Sequence, residues 1–160
     1  MKKFVLSFLM IFSAMIVANA QNSEWNEAVN EFLSEFGDQA KEMTESFRQM
    51  GINATMTADY DAPSKELVME VMFDPQMWNM FNADAMKAGK AENLRSYQES
   101  YRTDPEFREF IDLMQKANAK FRVKYSCRQG GTVKSKDFTI TPAEIMRESP
   151  SISKDESNII

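Results

Sequence analysis

The side chains that could carry out chemistry are mainly carboxylates and basic groups, because the chain contains no histidine and a single cysteine, Cys127. Without histidine there is no Ser-His-Asp or Cys-His nucleophile system, and no zinc site with an imidazole ligand. A lone cysteine also rules out an intramolecular disulfide and a cluster of thiolates. Acid–base catalysis by paired carboxylates requires neither histidine nor cysteine.

Five acidic residues cluster around the predicted first hairpin: Asp59, Asp61, Glu66, Glu70 and Asp74. Two carboxylates about 5–10 Å apart could hydrolyse a glycosidic bond. Acids at a turn and on an exposed strand face are equally ordinary surface residues, and no Asp-x-Asp-x-Asp-Gly calcium loop accompanies them. A small carboxylate-dependent hydrolase of the cell envelope is therefore the alternative function. We assign no catalytic, cofactor-binding or metal-binding residue.

A row of basic side chains lies in the last third of the chain. Lys120, Arg122 and Lys124 alternate with apolar residues, so they project from one face of a predicted strand. On an acidic chain such a row could receive an acidic peptide, a lipid head group or an anionic glycan. Alternatively, the row is a solvated face paired with Glu66 and Glu70 of a neighbouring strand. The predicted binding face comprises Lys120, Arg122, Lys124, Glu70, Val68 and Met72.

The strand that must position these side chains is Glu66–Phe73. Its odd-numbered residues, from Leu67 to Phe73, are all apolar and share one face, while the other face is half apolar. This pattern favours a central position in a sheet. A strand over Ile52–Tyr60 precedes it across a turn that contains Pro63, which predicts a hairpin.

Helical periodicity surrounds this hairpin. The predicted helices run over Ser23–Met50, from Asp74-Pro75, over Ala91–Arg102, and from Thr103-Asp104-Pro105 to about Asn118. Gly51 fits the position after the end of the first helix. The stretch Asn82–Lys90 has a weak pattern, with Gly89 as a helix breaker.

A second hairpin is predicted near the end of the chain, from Ala119–Arg128 and Thr132–Ile140. The register of its second strand stays open, with a bulge near Lys134 and Lys136 as one alternative. Thr141-Pro142-Ala143-Glu144 is a capping box that begins a short helix ending at Met146.

Cys127 alternates with Phe121, Val123 and Tyr125 on the apolar face of this hairpin. This position predicts a buried, unpaired thiol that behaves as a small apolar residue. A reactive thiol or an intermolecular disulfide is the alternative.

The order of elements predicts an α+β fold, α-β-β-α-α-β-β-short α. We expect a four-stranded, mainly antiparallel sheet with helices packed on one face. The uncovered face would meet solvent or a partner.

The first 20 residues have the features of a secretory signal peptide. Lys2 and Lys3 precede an apolar run, Phe4–Val17, that is short for a membrane span, and Ala18-Asn19-Ala20 fits a cleavage site. The prediction is export to the periplasm, the cell envelope or the medium, with no membrane span after cleavage. The predicted organisation is a signal peptide over 1–20, one α+β domain over 21–146 and a disordered tail over 147–160.

The export signal, amphipathic helix, hairpin, helical excursion and basic strand Lys120-Phe121-Arg122-Val123-Lys124-Tyr125 resemble small exported domains of unknown function in Bacteroidetes-type bacteria. That group has no assigned activity, so the resemblance implies export and no residue role. The net charge of −5, which becomes more negative without the two lysines of the leader, disfavours binding to nucleic acid. We expect an exported, non-enzymatic domain that binds an envelope protein or an anionic ligand.

Overall fold

The computed structural model describes residues 21–147. This part of the chain folds into an α+β arrangement of helices and one four-stranded sheet. The elements in order are α1 (Gln21–Gln49), β1 (Ala54–Asp61), β2 (Glu66–Phe73), a 3₁₀-helix (Pro75–Met80), α2 (Ala83–Thr103), α3 (Pro105–Lys116), β3 (Lys120–Gln129), β4 (Thr132–Ile140) and α4 (Pro142–Met146). The predicted signal peptide and all but the first residue of the predicted tail lie outside the described residues.

The sheet has the strand order β1-β2-β3-β4. β1 with β2 and β3 with β4 form antiparallel hairpins, but the two central strands, β2 and β3, are parallel. The prediction of a mainly antiparallel sheet is therefore wrong, because the sheet is mixed. The helical excursion between the hairpins explains the parallel pairing: it returns the chain to the end of the sheet where β2 began, so Lys120 pairs with Glu66.

The helices contribute their buried side chains to one core against one face of the sheet. α1 is anchored there by Trp25, whose indole Nε1 donates a hydrogen bond of 3.0 Å to the Tyr60 hydroxyl. The Phe32 ring stacks on Phe110 of α3 at 5.4 Å and lies 6.2 Å from Phe121 of β3. The largest apolar side chains that are almost fully enclosed are Phe121, Leu67, Ile111, Met114, Ile140 and Ile145.

Two predictions for the helical segment after the first hairpin, β1–β2, differ from the structure. α2 runs without interruption through Gly89, which was predicted to break the helix. The Asn82 side chain accepts a hydrogen bond from the backbone N–H of Ala85, and this cap begins the helix eight residues earlier than expected. Packing of α2 against β4 offsets the cost of about 1 kcal/mol of a mid-helix glycine. Asp74 and Pro75 open a 3₁₀-helix rather than an α-helix.

The predicted caps and the last hairpin agree with the structure. Asp104 accepts hydrogen bonds from the backbone at the start of α3, and Thr141 with Glu144 forms the capping box of α4. β4 pairs with β3 residue by residue from Phe121 with Ile140 to the turn, so no bulge intervenes. Within residues 21–147, no helix is both long enough and apolar enough to cross a bilayer.

Candidate functional site: the open face of the sheet

The sheet face opposite the core carries all six residues of the predicted binding face, and we call it the open face. The parallel register of β2 and β3 sets Val68 beside Arg122, Glu70 beside Lys124 and Met72 beside Ser126. The odd-numbered residues of β2 point the other way, and Leu67 and Met69 among them pack in the core with the helices. The sequence thus predicted correctly that these side chains lie together; whether they bind a partner stays a prediction.

Each base of the basic row lies against an acid of the same face. Lys120 Nζ is 3.0 Å from Glu66 Oε1, and Arg122 Nη1 is 3.1 Å from Glu66 Oε2. The second guanidinium nitrogen of Arg122 contacts Asp137 Oδ2 of β4 at 2.9 Å. Cross-strand pairs of opposite charge stabilise a sheet by a few tenths of a kcal/mol up to about 1 kcal/mol each. The open face is therefore a lattice of paired charges rather than a positive surface.

A second cluster continues the lattice along the same strands. Lys124 Nζ lies 3.3 Å from Glu70 Oε1, and the Ser126 hydroxyl donates a 2.6 Å hydrogen bond to the same oxygen. The predicted binding face did not include Ser126 or the acid on β4, Asp137. A fixed register of the last hairpin would have identified Asp137, because it pairs with Lys124, whereas the alternation along β3 alone places Ser126 beside Lys124 on this face.

Glu66 is the most enclosed charge of the open face, since only 8% of its side chain is exposed. Burial alone would raise the pKa of Glu66, but hydrogen bonds and charge attraction from Lys120 and Arg122 outweigh this effect and lower it. The hydrogen bond that Arg122 donates to Asp137 raises the pKa of Arg122, against the opposing effect of burial. Both terminal nitrogens of Arg122 are hydrogen-bonded to acids, while its Nε is buried without a hydrogen-bond partner among the described residues.

The acids predicted around the first hairpin lie on β1, on β2 and directly after β2. Glu66 and Glu70 are four residues apart on one strand, which separates their Cα atoms by about 13 Å. Asp61 pairs with Glu66 in the sheet, but it accepts a 2.7 Å hydrogen bond from Ser64 in the turn. Asp74 lies at the end of β2, where it accepts a hydrogen bond from the Asn53 amide.

A general acid requires a carboxyl whose pKa is raised toward neutrality. Among the carboxyls with a pKa shift, the one raised is that of Glu35, through burial and through repulsion by Glu31 and Glu106, and it lies on α1 in the helical layer. Residues 21–147 contain no group of three or more acid or cysteine side chains that could hold a metal ion.

Two lysines of β4 lie on the opposite side of the sheet from the basic row. Lys134 pairs with Cys127 and Lys136 with Tyr125, both on the core face. The Lys136 ammonium lies 4.9 Å from the centre of the Trp78 ring and donates to the Phe81 carbonyl. Cys127 itself is fully buried and unpaired, as its pattern predicted.

No protein-family model matches the chain, and comparisons with curated proteins and with solved structures likewise give no match. The resemblance to exported domains of Bacteroidetes-type bacteria therefore stays a prediction.

Proposed function

We propose that this protein is an exported, non-enzymatic domain that binds another macromolecule of the cell envelope through the open face. The observation that carries the proposal is the asymmetry of the sheet. Within residues 21–147, the helices pack their core residues against Leu67, Phe121 and Ile140, which lie on the face of the sheet opposite the open face. The open face has its charges aligned on two parallel strands, with Val68 and Met72 half-buried between them.

The charge lattice favours a partner with its own pattern of charges over a small free anion. Glu66 contacts both Lys120 and Arg122 at about 3 Å, so a small anion would have to displace Glu66 from these two bases. A protein surface can instead place a base near Asp59 and an acid near Arg128, both of which are exposed at the margin of the lattice. Such complementarity contributes mainly to specificity and to the association rate.

The alternative, a carboxylate-dependent hydrolase, gains no support from the geometry. The most enclosed acid of the open face is Glu66, whose lowered pKa keeps it ionised at neutral pH and unsuited to donating a proton. Glu70 is held by Lys124 and Ser126. Export to the envelope is supported by the basic start, apolar run and cleavage site of residues 1–20.

The test introduces one charge in the middle of the open face. Met72→Lys places an ammonium next to Thr55 and Ser126, two neutral neighbours in the adjoining strands, so the sheet should still fold. The matched control is Met80→Lys, because Met80 is 63% exposed and lies on the 3₁₀-helix of the opposite side. Both variants and the wild type would be immobilised and incubated with an extract of the native envelope.

We expect the wild type and Met80→Lys to capture the same protein, and Met72→Lys to lose it, with unchanged circular dichroism in all three. Equal capture by Met72→Lys would contradict binding through the open face. Turnover of a glycan or peptide substrate that disappears in Glu70→Gln would favour the hydrolase instead.

A further inference from the structure

Within residues 21–147, no strand pairs with the outer edge of β1, since β1 is a terminal strand of the sheet, and α1 packs on its core-facing side. It is 8 residues long, contains no proline, glycine or lysine, and pairs with β2 without a bulge. Natural sheets usually protect an edge of this length with a proline, a lysine, a bulge or charges that point inward. The opposite edge, β4, does carry inward charges, Lys134 and Lys136.

The hydrogen bonds of β1 identify which backbone groups face this edge. The Tyr60 N–H is donated to the Asp59 side chain at 2.8 Å, so it is turned away from β2. On the side that faces β2, the Asn53 carbonyl accepts a 3.3 Å hydrogen bond from the Asp74 backbone N–H. Because hydrogen-bonded and free residues alternate in an antiparallel pair, the N–H and C=O groups of Met56 and Ala58 also point outward.

The side chains of β1 leave apolar surface uncovered at the same edge. Met56, Ala58 and Tyr60 face the core, yet each is only half-buried. The corresponding core-facing residues of β2, Leu67 and Met69, are buried. A further strand beside β1 would cover this surface and satisfy the outward backbone groups together.

We propose that this edge pairs with β1 of a second copy of the chain, antiparallel and centred on Thr57, to form a continuous eight-stranded sheet. The sequence of β1 is complementary to itself in this register. Asp59 lies opposite Thr55 of the second copy, so the acids meet a hydroxyl rather than each other. On the core side, Tyr60 lies opposite Ala54 and Met56 opposite Ala58, so a large side chain meets a small one in each pair. A two-fold interface of this kind is isologous.

The decisive comparison uses the same substitution at Thr57 and Thr55, two exposed residues of β1 that lie on the open face beside Glu70 and Met72. Thr57→Lys places two ammonium groups opposite one another on the two-fold axis, and should weaken the dimer roughly threefold or more. Thr55→Lys places a lysine opposite Asp59 of the second copy, and should leave the dimer as strong or strengthen it. Both positions are exposed, so the fold of each subunit should be unaffected.

Ala58→Pro removes an N–H group that does not belong to the ladder with β2, and should weaken the dimer by at least about tenfold, because two inter-subunit hydrogen bonds are lost. Sedimentation equilibrium of the purified protein and of each variant over a range of concentrations measures the dissociation constant of the dimer. A wild type that stays monomeric throughout, or equal effects of Thr57→Lys and Thr55→Lys, would overturn the proposal.

Two controls make the outcome specific to the edge of β1. If Ala58→Pro fails to fold, the two lysine variants still decide. Met72 lies on β2, which is flanked by a strand on each side, so Met72→Lys should leave the dimer unchanged, and a failure of the edge pairing and a failure of the proposed function are distinguishable. Added salt should not weaken an edge dimer formed by backbone hydrogen bonds, whereas it should dissociate a dimer held by the charges of the open face.

Discussion

Replacing Glu66 by glutamine tests the energetics of the open face most sharply. The substitution keeps the size of the side chain but removes the charge that Lys120 and Arg122 contact at 3.0 and 3.1 Å. A hydrogen bond to a charged group contributes about 1.5–3 kcal/mol. The two basic partners are 38–39% exposed, so water screens part of each interaction, and glutamine retains one acceptor. We therefore expect Glu66→Gln to lower the free energy of unfolding by about 2 kcal/mol at pH 7.

The matched control is Glu92→Gln on α2. Glu92 forms an ion pair of 2.7 Å with Arg95, but 55% of its side chain is exposed. An exposed pair on a helix contributes only about 0.3–0.5 kcal/mol. Urea denaturation followed by circular dichroism would measure both variants against the wild type.

The pH dependence of the difference follows from the lowered pKa of Glu66. A carboxyl whose pKa is lower in the folded than in the unfolded state stabilises the fold above its unfolded pKa, and this contribution is lost as the pH falls through the folded pKa. The gap between wild type and Glu66→Gln should be constant near neutrality and shrink in acid. If Glu66→Gln lowers the free energy of unfolding no more than Glu92→Gln does, or if its difference from the wild type persists in acid, the account of the charge lattice is refuted.

Two further predictions concern buried side chains. Cys127 is fully buried, so a thiol reagent should label it only after denaturation, and rapid labelling of the native protein or a disulfide-linked dimer would contradict its placement. Burial, with a smaller contribution from Tyr125, raises the pKa of Tyr97, whose hydroxyl lies 3.9 Å from the Met69 sulfur. The folded state therefore holds this proton more tightly, so stability should fall as the pH rises above about 10, the ordinary tyrosine value. Tyr97→Phe should reduce the loss of stability at alkaline pH, measured by urea titration. An identical loss in the variant would count against this role of Tyr97.

Elements with a strong local signal were predicted well from the sequence. β2 and β4 have the predicted bounds, and α3 and α4 begin at the predicted proline and capping residues. Alternation of side chains along Lys120–Gln129 also assigned the basic row to one face. These features depend only on residues near one another in the chain, where periodicity and capping are decisive.

The features that were missed depend on contacts between distant parts of the chain. The parallel pairing of β2 with β3 depends on where the helical excursion delivers residue 120, which the alternation within either strand does not reveal. α2 passes through Gly89 because packing on β4 outweighs helix propensity. Asp137 joined the site only when the register of β4 was fixed, and it gives Arg122 a second acidic partner.

The most direct measurement of the central claim is cross-linking of the captured envelope partner with an amine-reactive reagent, followed by mass spectrometry. The open face carries two half-exposed lysines, Lys120 and Lys124, while Lys41 and Lys87 are exposed on α1 and α2. The account predicts partner cross-links at Lys120 and Lys124 and none at the two helical lysines. Cross-links confined to Lys41 or Lys87 would show that the partner binds the helical side, and would contradict a binding function for the open face.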